Sequence, residues 1–177
     1  MPLYTGDMDS RSGGLFDLIT GLPAHPLVVH AVVIMIPLAV VMLIAALILP
    51  KARGVLRVLA VVFSFVGAAS AWVAEQSGEA LENRVGYPGE HAELGEIVTP
   101  LSVGLFLATL LWAVSSSAAT PRWRLISRLL AVVALGVGVA AVVFTVLAGH
   151  SGAAATWEGR VVASGAPLAT TSGVDSL

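Results

Sequence analysis

The chain has 177 residues, of which 57% are hydrophobic and only 11% charged, less than half the charged share of an ordinary soluble domain. Its formal net charge of -2, with nine Lys and Arg in all, provides no basic surface to neutralise phosphates, which excludes nucleic acid as a partner. The absence of cysteine removes disulfides, thiolate-bound zinc, iron–sulfur clusters and covalently attached haem, so any metal must be held by His, carboxylate or Met.

The first 24 residues read as a tail. They lack a basic stretch followed by an apolar run, so the first membrane helix is expected to act as an uncleaved insertion signal. Leu15, Phe16, Leu18, Ile19 and Leu22 predict a short interfacial helix within this tail. Four apolar stretches follow, roughly 26–49, 55–74, 97–119 and 125–149. Each has about the twenty residues an α-helix needs to cross a hydrocarbon core of ~30 Å. The connectors 50–54 and 120–124 are short, which makes helices one and two, and three and four, antiparallel neighbours. The expected fold is therefore all-α: an up-down four-helix transmembrane bundle over residues 25–157, with a flexible tail at 158–177.

Pro26 suits a first helical turn, where its missing N–H costs nothing, and Pro100 is expected to do the same for helix three. Pro37 falls inside helix one and should kink it. Ser64, Gly67, Ala68 and Ala71 of helix two, with Gly136 and Gly138 of helix four, permit close backbone approach. Tight packing is the simplest use of them, and space for a cofactor is the other.

Lys51, Arg53 and Arg57 cluster at the first connector, and Arg122, Arg124 and Arg128 at the second. By the positive-inside rule both connectors face the cytoplasm, and both termini are extracytoplasmic, in a multi-pass protein of the plasma membrane. The acidic residues agree, since Asp7, Asp9, Asp17, the glutamates between 75 and 96, Glu158 and Asp175 all avoid the two connectors.

This orientation puts all four histidines at the extracytoplasmic end. His25 and His30 open helix one, His91 precedes helix three, and His150 closes helix four. Ionisable groups at membrane depth are expensive and usually face the bundle interior or a cavity. His30 and His150 are accordingly the expected primary ligands of a site, with His91 and His25 as further ligands or supports. Glu75, at the end of helix two, is a candidate carboxylate ligand or hydrogen-bond acceptor. Imidazole suits iron, copper and zinc, and bundles build metal sites from facing helices. The cofactor expected is haem b clamped between two imidazoles, or a non-haem transition metal ion. The simpler alternatives are hydrogen bonds across helices for His30 and His150, a cap or loop role for His25 before Pro26, a solvated loop for His91, and a boundary charge for Glu75.

Other motifs fail. Gly149-His150-Ser151-Gly152-Ala153 lacks the second glycine of a nucleophile elbow and follows no strand. No Walker A loop, Rossmann fingerprint or HExxH occurs. The cytoplasmic halves of the spans carry no charge and no broken-helix repeat is visible, which counts against a transporter.

His25-Pro26-Leu27-Val28-Val29-His30, followed by Pro37, resembles the bacterial membrane family called domain of unknown function 2231, whose hallmark is an HP-x-x-VH opening to helix one. The likeness continues through Ala74-Glu75, Glu90-His91-Ala92-Glu93 and Gly149-His150-Ser151-Gly152-Ala153, and covers about residues 22–161. It implies a small four-helix membrane protein. Some relatives join this domain to a Rieske iron–sulfur domain, which implies electron transfer and a respiratory or other redox membrane complex as partner. The resemblance also implies that His30, His91 and His150 act together. Where many relatives place an aromatic residue, then histidine and glycine, this chain reads Thr156-Trp157-Glu158-Gly159-Arg160, without the histidine.

The leading expectation is thus an extracytoplasmic histidine site for electron transfer or metal handling. A noncatalytic accessory subunit, packing through small-residue helix faces on a larger complex, is the alternative. A pH or metal sensor is a third, although no output domain is visible.

Overall fold

The computed structural model describes residues 18–19, 22–87, 89–117 and 120–165. Four helices dominate them: α1 (Ala24–Ile48), α2 (Arg53–Val85), α3 (Glu90–Ser115) and α4 (Pro121–Gly165). All four are long and apolar enough to cross a membrane, yet only 28–33% of each span is buried inside the bundle. Aliphatic side chains such as Ile48, Val55, Val114 and Val132 point outward. Such a surface is stable in hydrocarbon, where a helix satisfies its own backbone polar groups.

Ahead of α1, two short strands pair antiparallel: β1 (Leu18–Ile19) and β2 (Leu22–Pro23), with Leu18 opposite Pro23 and Ile19 opposite Leu22. The interfacial helix expected there is therefore absent from its described residues. The rest of that tail lies outside them.

Consecutive helices run antiparallel. At one end Arg53 Nε donates to the Ala46 carbonyl (3.1 Å) and Arg57 Nη1 to Ser116 Oγ (2.8 Å), tying the start of α2 to the ends of α1 and α3. At the other end, His25 near the start of α1 reaches Ala74 late in α2, and His91 near the start of α3 reaches Ala148 late in α4. The helices pack in chain order around a ring that α4 closes against α1, which leaves α1 and α3 diagonal.

The interior is built mainly from small and branched residues. Val32, Ile36, Ala71, Val98 and Leu105 fill the histidine half, while Leu43, Ala46, Ala60, Trp112 and Ala134 fill the arginine half. A Cβ on Gly138 would lie 2.8 Å from Val40 Cγ2 and 3.2 Å from Leu105 Cδ1, and one on Gly67 would lie 3.1 Å from Ile36 Cγ1. Gly136, by contrast, meets nothing within 4 Å, so only one of the two α4 glycines serves packing. Buried hydroxyls bond back to their own helices, Ser102 to the Val98 carbonyl (2.7 Å) and Thr145 to the Ala141 carbonyl (2.7 Å). Thr109 Oγ1 is the exception among the described residues, buried with no partner.

Three boundaries differ from expectation for one reason: hydropathy marks where lipid ends, not where a helix ends. α2 continues to Val85 and α3 begins at Glu90, so the acidic loop expected between residues 75 and 96 shrinks to 86–89. Glutamate is a good helix former, and Glu90 and Glu93 suit the positive end of the α3 dipole. The reversal uses Gly86 (φ +92°) and Gly89 (φ +61°), a backbone region glycine enters without steric cost. Pro100 consequently sits inside α3 beside Pro37 in α1 as a second interior proline, rather than in a first turn. α4 runs on to Gly165, so the tail expected from residue 158 begins as helix, and residues 166–177 lie outside the described residues.

In thermal unfolding of the protein in mild detergent, Gly138→Ala should cost about 1–3 kcal/mol by overpacking. Gly136→Ala should be neutral or gain up to about 1 kcal/mol of helix propensity. Thr109→Val should stabilise, because it removes an unsatisfied buried hydroxyl worth about 1–3 kcal/mol.

Candidate functional site

His25 and His91 occupy matching places, each the second residue of its helix and each half-buried. His25 Nδ1 donates to the Ala74 carbonyl at 2.8 Å, and His91 Nδ1 to the Ala148 carbonyl at 2.9 Å. A carbonyl can only accept, so Nδ1 carries the hydrogen in both rings. The neutral imidazole's lone pair then lies on Nε2, across the ring from the bonded carbonyl.

The two carbonyls belong to the same local sequence, Ala74-Glu75-Gln76-Ser77-Gly78 in α2 and Ala148-Gly149-His150-Ser151-Gly152 in α4. In each, the serine hydroxyl also donates to that carbonyl, Ser77 to Ala74 and Ser151 to Ala148, both at 3.0 Å. The following glycine makes room for the ring. A Cβ at Gly78 would stand 3.2 Å from His25 Cε1 and Nδ1, and one at Gly152 only 2.8 and 2.9 Å from the same atoms of His91. Ala-x-x-Ser-Gly is thus a histidine seat, used twice.

The seated rings meet across the bundle from diagonal helices, with centroids 5.9 Å apart and planes at 82°. Metal–nitrogen bonds of about 2 Å allow two imidazoles sharing one ion a centroid separation of up to about 6 Å. No described residue bonds either Nε2.

The other expected ligands do not join this pair. His30 is exposed on α1 and its Nδ1 donates to the Pro26 carbonyl of its own helix. His150 is exposed on α4. Glu75 is half-buried beside Ala74. Among the described residues no three His, Asp or Glu side chains lie close enough to hold one ion. The expected five-residue set is therefore not assembled, and the rings brought together are His25 and His91 rather than His30 and His150. Helical rotation explains it. At 3.6 residues per turn, His30 lies about 140° round α1 from His25, and His150 about 200° round α4 from inward-facing Ala148.

The same end of the molecule is acidic. Glu75, Glu79 and Glu82 come from α2, and Glu90, Glu93 and Glu96 from α3. Tyr87, between these helices, has its phenol pushed above its ordinary value by desolvation and then by the charges of Glu93, Glu96 and Glu82. The helices' arginines at this end, Arg84 and Arg160, stand ten and twelve residues beyond Ala74 and Ala148, about 15 and 18 Å further along the helix axes.

Four apolar spans with this surface define a multi-pass membrane protein. The chain belongs to the family described as predicted membrane protein, DUF2231, whose family model matches residues 21–165. No curated protein and no solved structure matches it. The segments that carry the motif likeness, around His25, Ala74, His91 and Gly149–Gly152, are those that build the two seats.

Gly152→Ala should displace the His91 ring and weaken its Nδ1–H bond more than Gly78→Ala does for His25, because the clash is closer. Histidine-selective ¹⁵N NMR should show the His91 Nδ1–H signal shifting toward solvent-exchanging values in Gly152→Ala, with the His30 and His150 signals unmoved.

Proposed function

We propose that the chain carries a cofactor at the His25–His91 pair, haem b or a transition metal ion, and serves electron transfer or metal handling at the extracytoplasmic face of the plasma membrane. One observation carries this reading: two imidazoles from diagonal helices, each with Nδ1–H given to a backbone carbonyl, stand with ring centroids 5.9 Å apart. A carbonyl on the far nitrogen fixes the tautomer and ring orientation of a ligating histidine and raises the basicity of the ligating nitrogen. The seats therefore prepare both rings to act as ligands, whether or not anything is bound.

Two imidazoles are a sufficient protein donor set for the two axial positions of haem iron, which would supply one-electron transfer. They are also a sufficient set for an ion of low coordination number. A redox membrane complex is the natural exchange partner for either electron carrier. The sidedness rests on the charges: Lys51, Arg53, Arg57, Arg122, Arg124 and Arg128 crowd the end opposite the pair, which the positive-inside rule assigns to the cytoplasm.

Reduced-minus-oxidised absorption spectra and elemental analysis of the protein purified from its membranes should show a haem band or a stoichiometric metal. His25→Ala or His91→Ala should lower occupancy by more than about tenfold, while His30→Ala leaves it unchanged. The absence of both chromophore and metal would refute the reading. Because the chain has no cysteine, sidedness can be read from single introduced thiols. Tyr87→Cys should react with a membrane-impermeant maleimide in intact cells, and Ser117→Cys only after permeabilisation.

A further inference from the structure

The two seats belong to a larger equivalence between the hairpins α1–α2 and α3–α4. His91 follows His25 by 66 positions, and the same step carries Val32, Ile36, Ala39, Leu43 and Ala46 to Val98, Ser102, Leu105, Thr109 and Trp112, all ten buried. Ala148 follows Ala74 by 74 positions. That step carries Ala60, Ser64, Gly67 and Ala71 to Ala134, Gly138, Ala141 and Thr145, again all buried. Side-chain identities are mostly not retained, but inward register is, from the arginine half to the seats. The two hairpins thus share one inward register, and His25 and His91 occupy corresponding places in it.

We infer that the pair binds a single copper(I)-class cation between the two rings, with the two hairpins contributing one equivalent Nε2 each. The inference rests on the preceding reading of the pair as a cofactor site and selects among its occupants. Three observations make the selection. First, among the described residues no three His, Asp or Glu are grouped so as to hold one ion, whereas zinc takes three or four protein ligands. Second, a centroid separation of 5.9 Å is close to the limit of about 6 Å for one shared ion. With both Nε2 atoms on one ion, that separation goes with a wide nitrogen–metal–nitrogen angle, wider than a tetrahedral ion adopts and suited to the near-linear bis-imidazole coordination of copper(I) or silver(I).

The third observation is charge. Haem b brings two carboxylates that need cationic or strong donor partners beside the ring. Six glutamates stand at this end of α2 and α3. A cation is drawn to such a field, and a dianionic macrocycle is repelled by it.

The test uses the full chain in detergent, titrated under reducing conditions with copper(I) against a competing chelator, with silver(I) as a redox-inert probe. Haem b and zinc(II) are offered separately. The expected result is one copper(I) per chain with the X-ray absorption edge of two-coordinate copper, displaced by silver and not by zinc. His25→Ala and His91→Ala should each weaken binding by more than about 100-fold, and to within about threefold of one another, since loss of a ligand exceeds loss of its supporting partner. His30→Ala and His150→Ala should bind as the parent does. If an alanine variant fails to fold, Gly152→Ala keeps both imidazoles and should still weaken copper binding. Haem b bound through two imidazoles, with no copper(I) uptake, would overturn this inference and leave the cofactor reading standing. Binding of neither would overturn both, and copper binding lost in only one of the two histidine variants would overturn the equivalence of the hairpins.

Discussion

A backbone carbonyl has two lone pairs, and an α-helix uses only one of them. In hydrocarbon the helix must satisfy every peptide group internally, which makes four self-sufficient rods the available architecture for this chain. The second lone pair is then the one polar resource that a buried helix surface can still offer. At Ala74 and Ala148 it is spent on an imidazole and a serine hydroxyl from the same seat. Alanine at those positions matters because its methyl group is too small to cover the oxygen. The glycine four residues on matters because the ring lies over it.

The same economy of volume governs the rest of the interior. Glycine and alanine at Gly67, Ala71, Gly138 and Ala141 bring neighbouring backbones together, and larger residues such as Ile36, Val40 and Leu105 fill the spaces this leaves. Most hydroxyls at depth return to their own helix; Thr99 instead donates to the Ala71 carbonyl of α2, and Thr109 has no partner among the described residues. Charge is kept to the ends. At the arginine end, Arg53 and Arg57 cap the carbonyl and hydroxyl groups at the ends of α1 and α3, where a cation also complements the helix dipole. The opposite end has carboxylates and imidazoles instead. The two ends thus differ in chemistry even though the packing between them is nearly uniform.

Much of the fold was legible in the residues. Hydropathy located four spans, and the short basic connectors made them hairpins. What hydropathy could not supply was where each helix stops. Glu75 to Glu96 are polar but strongly helical, so α2 and α3 continue past the apolar residues, and Pro100 moves from an apparent start to an interior position. The histidines were recognised as a group, but depth was weighed ahead of face. His30 and His150 sit in the more apolar surroundings, yet their rotation about α1 and α4 turns them away from the axis. A readable signal did exist: of the three Ala-x-x-Ser-Gly stretches, at Ala74, Ala148 and Ala169, the first two each lie downstream of a histidine that opens the preceding helix. A pattern of three small residues carries little weight alone, and the 66- and 74-residue steps differ mainly because α4 holds six more residues before Ala148 than α2 does before Ala74. A comparison of each half of the chain with the other, rather than of the whole with known motifs, would have exposed it.

α4 has 45 residues, so as one helix it is about 67 Å long, more than twice the thickness of the hydrocarbon it crosses. The carbonyl that orients His91 is therefore part of a rod whose outer portion stands in water. Such a rod is a lever. A lateral push on the protruding segment tilts the whole helix and shifts the Ala148 oxygen relative to a ring anchored on α3. α2, at 33 residues, offers a shorter arm to His25. Two seats alike in chemistry are thereby unequal in mechanical leverage.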